Sequence, residues 1–213
     1  MSTALVLGAT GLVGRSVLAA LASDAAFDRV IVLARRPADG PLATKIEWRV
    51  VDFDAAATYD ALRRDAPEVV FSCLGTTRKQ TPSLEQYRKI DHDYPVSVAR
   101  AVAPKAVFCL VSAVGADAKS RVFYNRLKGE VEADVAASGV ASVYALRPSF
   151  LLGERGGGRV GEALGIAAFK ALGPLMPSRF RSIEAKTVAA AMIRAAKQRT
   201  PGVHVWHYRE MLG

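Results

Sequence analysis

Tyr124 and Lys128 stand four residues apart, and Ser112 precedes Tyr124 by twelve. Positions i and i+4 of a helix share one face, one turn apart, so the phenol and the ammonium become neighbours. An ammonium beside a phenol favours the phenolate. A tyrosine held that way can give a proton to, or take one from, a carbonyl or hydroxyl oxygen. Ser112, at the end of an apolar run, would hold the same oxygen by a hydrogen bond. Lys128 could also reach the ribose of a bound nicotinamide nucleotide. Alone, Y-x-x-x-K also describes a half-buried tyrosine with a solvated lysine. The rest of the chain favours the chemical reading.

That support comes first from Gly8-Ala9-Thr10-Gly11-Leu12-Val13-Gly14. This G-x-x-G-x-x-G run follows an apolar strand and opens a helix, the context in which such a run binds a dinucleotide. Gly8 permits the tight turn, Gly11 lets backbone N–H groups approach a pyrophosphate, and Gly14 lets helix and strand pack closely. The helix end adds free N–H groups and a positive dipole. Gly8, Thr10, Gly11, Leu12, Val13 and Gly14 are therefore expected cofactor contacts. The bland alternative is a tight turn that binds nothing.

About 20 residues on, an NAD site usually carries an acid for the ribose 2′-hydroxyl. Here the residues are Arg35 and Arg36. Two guanidiniums suit a 2′-phosphate and can stack on adenine, so NADP(H) is expected over NAD(H), with Arg15 also in reach. An arginine pair on a solvated turn is the plain alternative. Asp52, with Phe53 beside the base, could accept from the adenine amino group or could cap the next helix. Cys73, Leu74, Gly75 and Thr76 end another strand, and Gly75 would let backbone lie against the cofactor.

These residues need a scaffold that brings strand ends together. Short β-branched runs alternate with Ala-rich helical ones. Strands are expected at 3–7, 29–34, 46–51, 68–73, 106–112 and 142–147. Helices are expected at 12–23, 55–65, 83–102 and 120–137. Such alternation implies right-handed crossovers and a parallel sheet covered by helices on both faces. After Pro148 the rhythm changes to a Gly-rich stretch at 153–161, a helix at 162–172, a loop at 177–183, a helix at 184–198 and a short strand at 203–207. This tail would cap the strand ends. A parallel sheet of this kind binds ligands there, so Leu151, Leu152, Leu164, Phe169, Leu175, Met176 and Phe180 would line a substrate pocket, or simply pack the cap. Residues 152–159 would form a mobile lid.

Composition narrows the class. The chain has 213 residues, 51% hydrophobic and 23% charged, which suits one globular domain and not a disordered chain. Cys73 and Cys109 are isolated in apolar runs, so neither a disulfide framework nor a zinc site is expected. A reducing, cytoplasmic setting is. No apolar stretch approaches the ~20 residues of a membrane span, and no secretory signal is visible. The net charge of +9 suggests an anionic ligand, an acidic partner or nucleic acid. Its basic residues are scattered, unlike the cluster of a nucleic-acid binder. The expected partner is a small-molecule substrate, with a homodimer an open option. His204 and His207 lack partners at metal spacing, so no metal is expected. His92 is expected to be exposed or packed.

Together, Gly8–Gly14, Ser112, Tyr124 and Lys128 resemble the short-chain dehydrogenase/reductase superfamily. The finer pattern is similar to an atypical branch, the Tat-interacting-protein-like oxidoreductases. It comprises Cys73 to Arg78, Asp91-His92-Asp93-Tyr94, Val111 to Asp117, Tyr124 to Glu132 and Leu146-Arg147-Pro148. The resemblance implies a single α/β, Rossmann-like, doubly wound domain over residues 1–213 with a small C-terminal cap. It also implies NADPH binding, with Pro148 among the site residues, and it specifies no substrate. Many superfamily members place an Asn before the fifth strand to hold a proton-relay water. This chain has Asp91, His92 and Asp93 there, and the relay is unassigned. The expected function is hydride transfer to or from a small carbonyl, alcohol or quinone. Its rivals are a non-catalytic NADP(H)-binding module acting through a protein partner and a sugar-nucleotide epimerase or dehydratase, which usually needs a larger C-terminal lobe.

Overall fold

In β1 (Ser2–Leu7) the side chains alternate between two cores: Ala4 and Val6 enter one, Leu5 and Leu7 the other. A strand buried on both sides needs helices on both sides. Each fully buried Leu contributes about 1.5–3 kcal/mol relative to leaving it exposed. The computed structural model describes residues 2–152 and 177–213.

The chain continues through α1 (Leu12–Ser23), β2 (Phe27–Ala34), β3 (Ile46–Val50), α2 (Ala56–Asp65) and β4 (Val69–Ser72). Next come α3 (Leu84–Arg88), a π turn (Lys89–Asp93), α4 (Tyr94–Val102), β5 (Val107–Val111), α5 (Phe123–Ala137) and β6 (Ser142–Leu146). Beyond them lie β7 (Leu151–Leu152), a 3-10 turn (Ser178–Phe180), β8 (Ile183–Glu184), α6 (Ala185–Gln198), β9 (Gly202–Trp206) and α7 (Tyr208–Leu212).

Seven strands form one parallel sheet in the order β3-β2-β1-β4-β5-β6-β9. One face is covered by α1 and α6, through Val13, Val17, Leu21, Val188 and Met192. The other is covered by α2, α4 and α5, through Leu62, Val98, Ala99, Val131 and Val135. This is the expected doubly wound Rossmann-like α/β fold. The strand order reverses between β1 and β4, and the crevice at their carboxyl ends is where such sheets bind ligands.

Three elements differ from expectation. The single helix over 83–102 is interrupted by the π turn, where the Tyr94 N–H reaches back to the Lys89 carbonyl. Pro95, at the start of α4, has no N–H to continue an α-helical ladder. The wider turn buries both Asp91 and His92. The helix expected from 120 begins at Phe123, because Asp117 and Ser120 side chains bond the N–H groups of Lys119 and Val122 and hold a loop. The tail contains a small parallel pair, β7 with β8, and a terminal helix, α7, that periodicity over so few residues does not reveal. The helix expected at 162–172 and most of the expected lid lie outside the described residues.

Candidate functional site

The glycine turn has the geometry its residue types require. Gly8 adopts φ +72°, and a Cβ there would lie 2.6 Å from the Cys73 carbonyl oxygen. A Cβ on Gly14 would lie 2.1 Å from the Gly8 carbonyl oxygen. The Gly11 N–H donates to the Gly8 carbonyl at 3.0 Å and closes the turn. Helix α1 starts after Gly11 with no side-chain cap and no acid in its first turn. Its first N–H groups thus meet no competing carboxylate, and the exposed Arg15 adds positive charge. This cradle fits a pyrophosphate.

At the end of β2, Arg35 and Arg36 are exposed, and the described residues supply no ion pair to either guanidinium. The Trp48 indole N–H donates to the Arg36 carbonyl at 2.9 Å and fixes that backbone. After β3, Asp52 accepts from the Asp54 N–H at 2.9 Å, and Ala55 is the N-cap of α2, so the capping alternative for Asp52 does not hold. Phe53 is 5% exposed and stacks on Tyr94 at 4.9 Å. Its ring packs in the core instead of lying open beside a base.

Cys73-Leu74-Gly75-Thr76 joins this cradle to the Tyr–Lys helix. Burial pushes the Cys73 thiol up to about 12, and burial likewise pushes Cys109 up, so neither is a ready nucleophile. The Thr76 N–H donates to Asp91 Oδ1 at 2.8 Å, and the Tyr87 hydroxyl donates to the Thr76 carbonyl at 2.9 Å. Burial, then the nearby Asp91 and Tyr124, push the Tyr87 phenol up, with Arg78 opposing. Asp91 Oδ2 lies 3.0 Å from Lys128 Nζ, with both side chains buried. Lys128 Nζ is 6.0 Å from the Tyr124 ring centroid, as the i, i+4 spacing implies, and Tyr124 itself is 41% exposed. Burial works against the Lys128 ammonium, but Asp91, Tyr124 and Glu132 outweigh it and hold its pKa above the ordinary lysine value.

Ser112 departs from its expected role. It is 3% exposed, and its hydroxyl donates to Glu132 Oε1. Arg147 Nε donates to the same oxygen at 3.0 Å, and Arg147 Nη2 bonds Glu132 Oε2. Ser112 is thus committed to a buried network and is not an open donor for a substrate oxygen. Pro148 is buried, and its carbonyl accepts from the Val114 N–H at 3.0 Å, fixing the loop after β5. Asp91, Glu132 and Arg147 had no assigned role in the sequence. The usable signal for Glu132 was its place one helical turn beyond Lys128.

His92 and His204 have structural partners. His92 is buried between Asp93, at 2.7 Å, and Asp134, at 2.9 Å, joining the π turn to α5. His204 stacks on Tyr144 at 4.7 Å. Of the expected pocket lining, Leu151 and Leu152 are half-buried in β7 and Phe180 is exposed. Leu164, Phe169, Leu175 and Met176 lie outside the described residues. No helix among the described residues is long and apolar enough to cross a membrane.

A family model described as NAD(P)H-binding matches residues 8–199. The chain is 37% identical over 186 residues to "Protein FMP52, mitochondrial" of Eremothecium gossypii, covering 84% of this chain and 80% of that protein. It is 33% identical over 184 residues to the protein of the same name in Emericella nidulans, covering 84% and 79%. These names overturn the expected cytoplasmic setting, since they assign the relatives to mitochondria. Apolar cysteines and the lack of a visible signal report redox chemistry and secretion, and neither separates cytoplasm from an organelle. Among solved structures, MoeE5 in complex with UDP-glucuronic acid and NAD matches with a TM-score of 0.72 at 17% identity, covering 97% of this chain and 76% of that one. That likeness shows the fold.

Proposed function

The chain belongs to the NAD(P)H-binding family, and from that premise we propose that it is an NADP(H)-dependent oxidoreductase of the short-chain dehydrogenase/reductase type. Its substrate is a small carbonyl compound, alcohol or quinone. One observation carries this reading. The loop Cys73–Thr76 touches the glycine turn at one end and, through Asp91, the Tyr124–Lys128 pair at the other. A cofactor cradle and a proton-transfer pair are thus held by one short loop.

Carbonyl reduction delivers a hydride to carbon and a proton to oxygen. Bound NADPH supplies the hydride. Gly8–Gly14 and the start of α1 would hold the pyrophosphate, and Arg35, Arg36 and Arg15 would serve the 2′-phosphate. The Tyr124 hydroxyl gives its proton to the carbonyl oxygen, and the Lys128 charge stabilises the phenolate left behind. In the reverse direction Tyr124 takes the alcohol proton. The commitment of Ser112 to Glu132 leaves this oxygen with Tyr124 as its donor. That same commitment supports a second reading, an NADP(H)-binding module acting through a protein partner.

Two experiments test the reading. Fluorescence titration should show tighter NADPH than NADH binding, with the difference shrinking at high salt. Arg35→Ala should cost NADPH about tenfold or more, as a lost charge-assisted contact of roughly 1.5–3 kcal/mol implies. Equal affinities in the unmodified protein would refute the NADP preference. Tyr124→Phe should bind NADPH normally and lose most turnover across a panel of aldehydes, ketones and quinones. If the unmodified protein oxidises NADPH with none of them, the binding-module reading replaces the enzyme.

A further inference from the structure

Lys128 is a cation sealed inside the protein, its side chain 5% exposed. An ammonium is not tolerated there unless a counter-charge is buried with it. The groups that face it are Tyr124 and Glu132 on its own helix and Asp91 from the π turn, with Tyr87 of α3 beyond Asp91. Glu132 is already matched by Arg147 from the end of β6. Among the described residues, Asp91 is therefore the carboxylate that answers Lys128, 3.0 Å away and with a side chain 1% exposed.

Asp91 is itself held in place. Its Oδ1 accepts the Thr76 N–H at 2.8 Å, and the π turn carries its side chain inward. Its Oδ2 faces the Lys128 ammonium at 3.0 Å, so charge attraction and hydrogen bonding together hold the lysine. The ammonium has three N–H donors, more than Asp91 alone can use.

We infer that Asp91 is the positioning residue of the Tyr124–Lys128 pair: it keeps Lys128 charged in a buried site and ties that pair to the cofactor-facing loop after β4. Its catalytic meaning rests on the oxidoreductase reading, whereas the charge pairing does not. Burial pulls the ammonium toward losing its proton, and Asp91 is the largest influence in the opposite direction.

Asp91→Asn keeps the shape and an oxygen for the Thr76 N–H but removes the charge. The lysine side-chain carbons, labelled with carbon-13 and followed by NMR across pH, report each proton loss. The Lys128 signal is the one absent from Lys128→Met. In the unmodified protein it should hold its proton beyond the ordinary lysine value of 10.5. In Asp91→Asn it should lose the proton at least about one pH unit lower, a tenfold change in proton affinity. The alkaline side of the turnover profile should move the same way, with NADPH affinity changed less than about threefold. Asp91→Glu, which keeps the charge, should restore the titration. An unchanged Lys128 titration in Asp91→Asn overturns the assignment. If Asp91→Asn does not fold, the unmodified protein decides: Lys128 releasing its proton below the ordinary lysine value overturns the assignment, and release above it supports it. A shifted Lys128 in a protein that reduces no carbonyl compound supports the pairing and overturns the oxidoreductase reading.

Discussion

Glu132 joins Ser112 at the end of β5 to Arg147 at the end of β6, using both its oxygens. Glu132→Ala would leave a mostly buried guanidinium without its carboxylate. Breaking such a pair by removing one partner costs about 3–5 kcal/mol, and partial exposure of Arg147 places the expected loss near about 3 kcal/mol in urea denaturation. The Lys128–Asp91 pair has a different pH signature. The folded-state pKa of Lys128 is raised, so its stabilisation is fully present below 10.5 and is lost as pH rises through the folded value. The stability gap between the unmodified protein and Asp91→Asn should be constant at neutral pH and narrow as pH rises through the lower Lys128 value of Asp91→Asn toward that of the unmodified protein. Tyr124 and Lys128 were legible in the sequence because their adjacency is local helix geometry. The partners of Ser112 and Lys128 were not, because Glu132, Arg147 and Asp91 reach them only after separate helices and strands have packed.

Strands buried on both faces leave continuous apolar runs, which is why β1, β4, β5 and β6 were readable and α1 has the expected bounds. The π turn was not readable from the apolar period, although Pro95 marked the place where an α-helical ladder must fail. Helix α1 depends on its approach to β1: Gly14→Ala places a methyl group against the Gly8 carbonyl. It should cost about 3 kcal/mol, the upper end of overpacking, and abolish NADPH binding together with it, read by thermal melting and fluorescence titration. At the far edge, Asp65 at the end of α2 bonds Arg49 on β3 at 2.5 Å and Arg29 on β2 at 3.1 Å. The Arg49 hydrogen bonds, above all, hold the Asp65 carboxyl below its ordinary value of 3.8. A lowered carboxyl stabilises above the unfolded value, and that contribution is lost as pH falls through the folded one. Asp65→Asn should therefore melt lower than the unmodified protein at neutral pH, and the two should converge below about pH 4.

Across the whole molecule, the doubly wound architecture followed from the alternation of strands and helices. The cap was harder to read because β7, β8 and α7 are each too short to show a period. The mitochondrial names of the relatives lay beyond any reading of composition. The seven-stranded sheet has β1 near its middle, and α1 shares its face with α6. Val17 and Leu21 of the first helix join the same core as Val188 and Met192 of a helix nearly at the chain's end. During synthesis this separation is a delay. The glycine turn emerges well before α6, yet the helix behind it has no finished wall until α6 has left the ribosome. Contacts this distant in sequence form slowly, and a domain made from its N-terminus at about 5–20 residues per second keeps that face open for many seconds. Ribosome-stalled chains ending at Leu152 should be cut readily by protease and fail to retain NADPH, whereas chains released beyond Trp206 should resist and bind. The interval between those two points is when a chaperone has most to do.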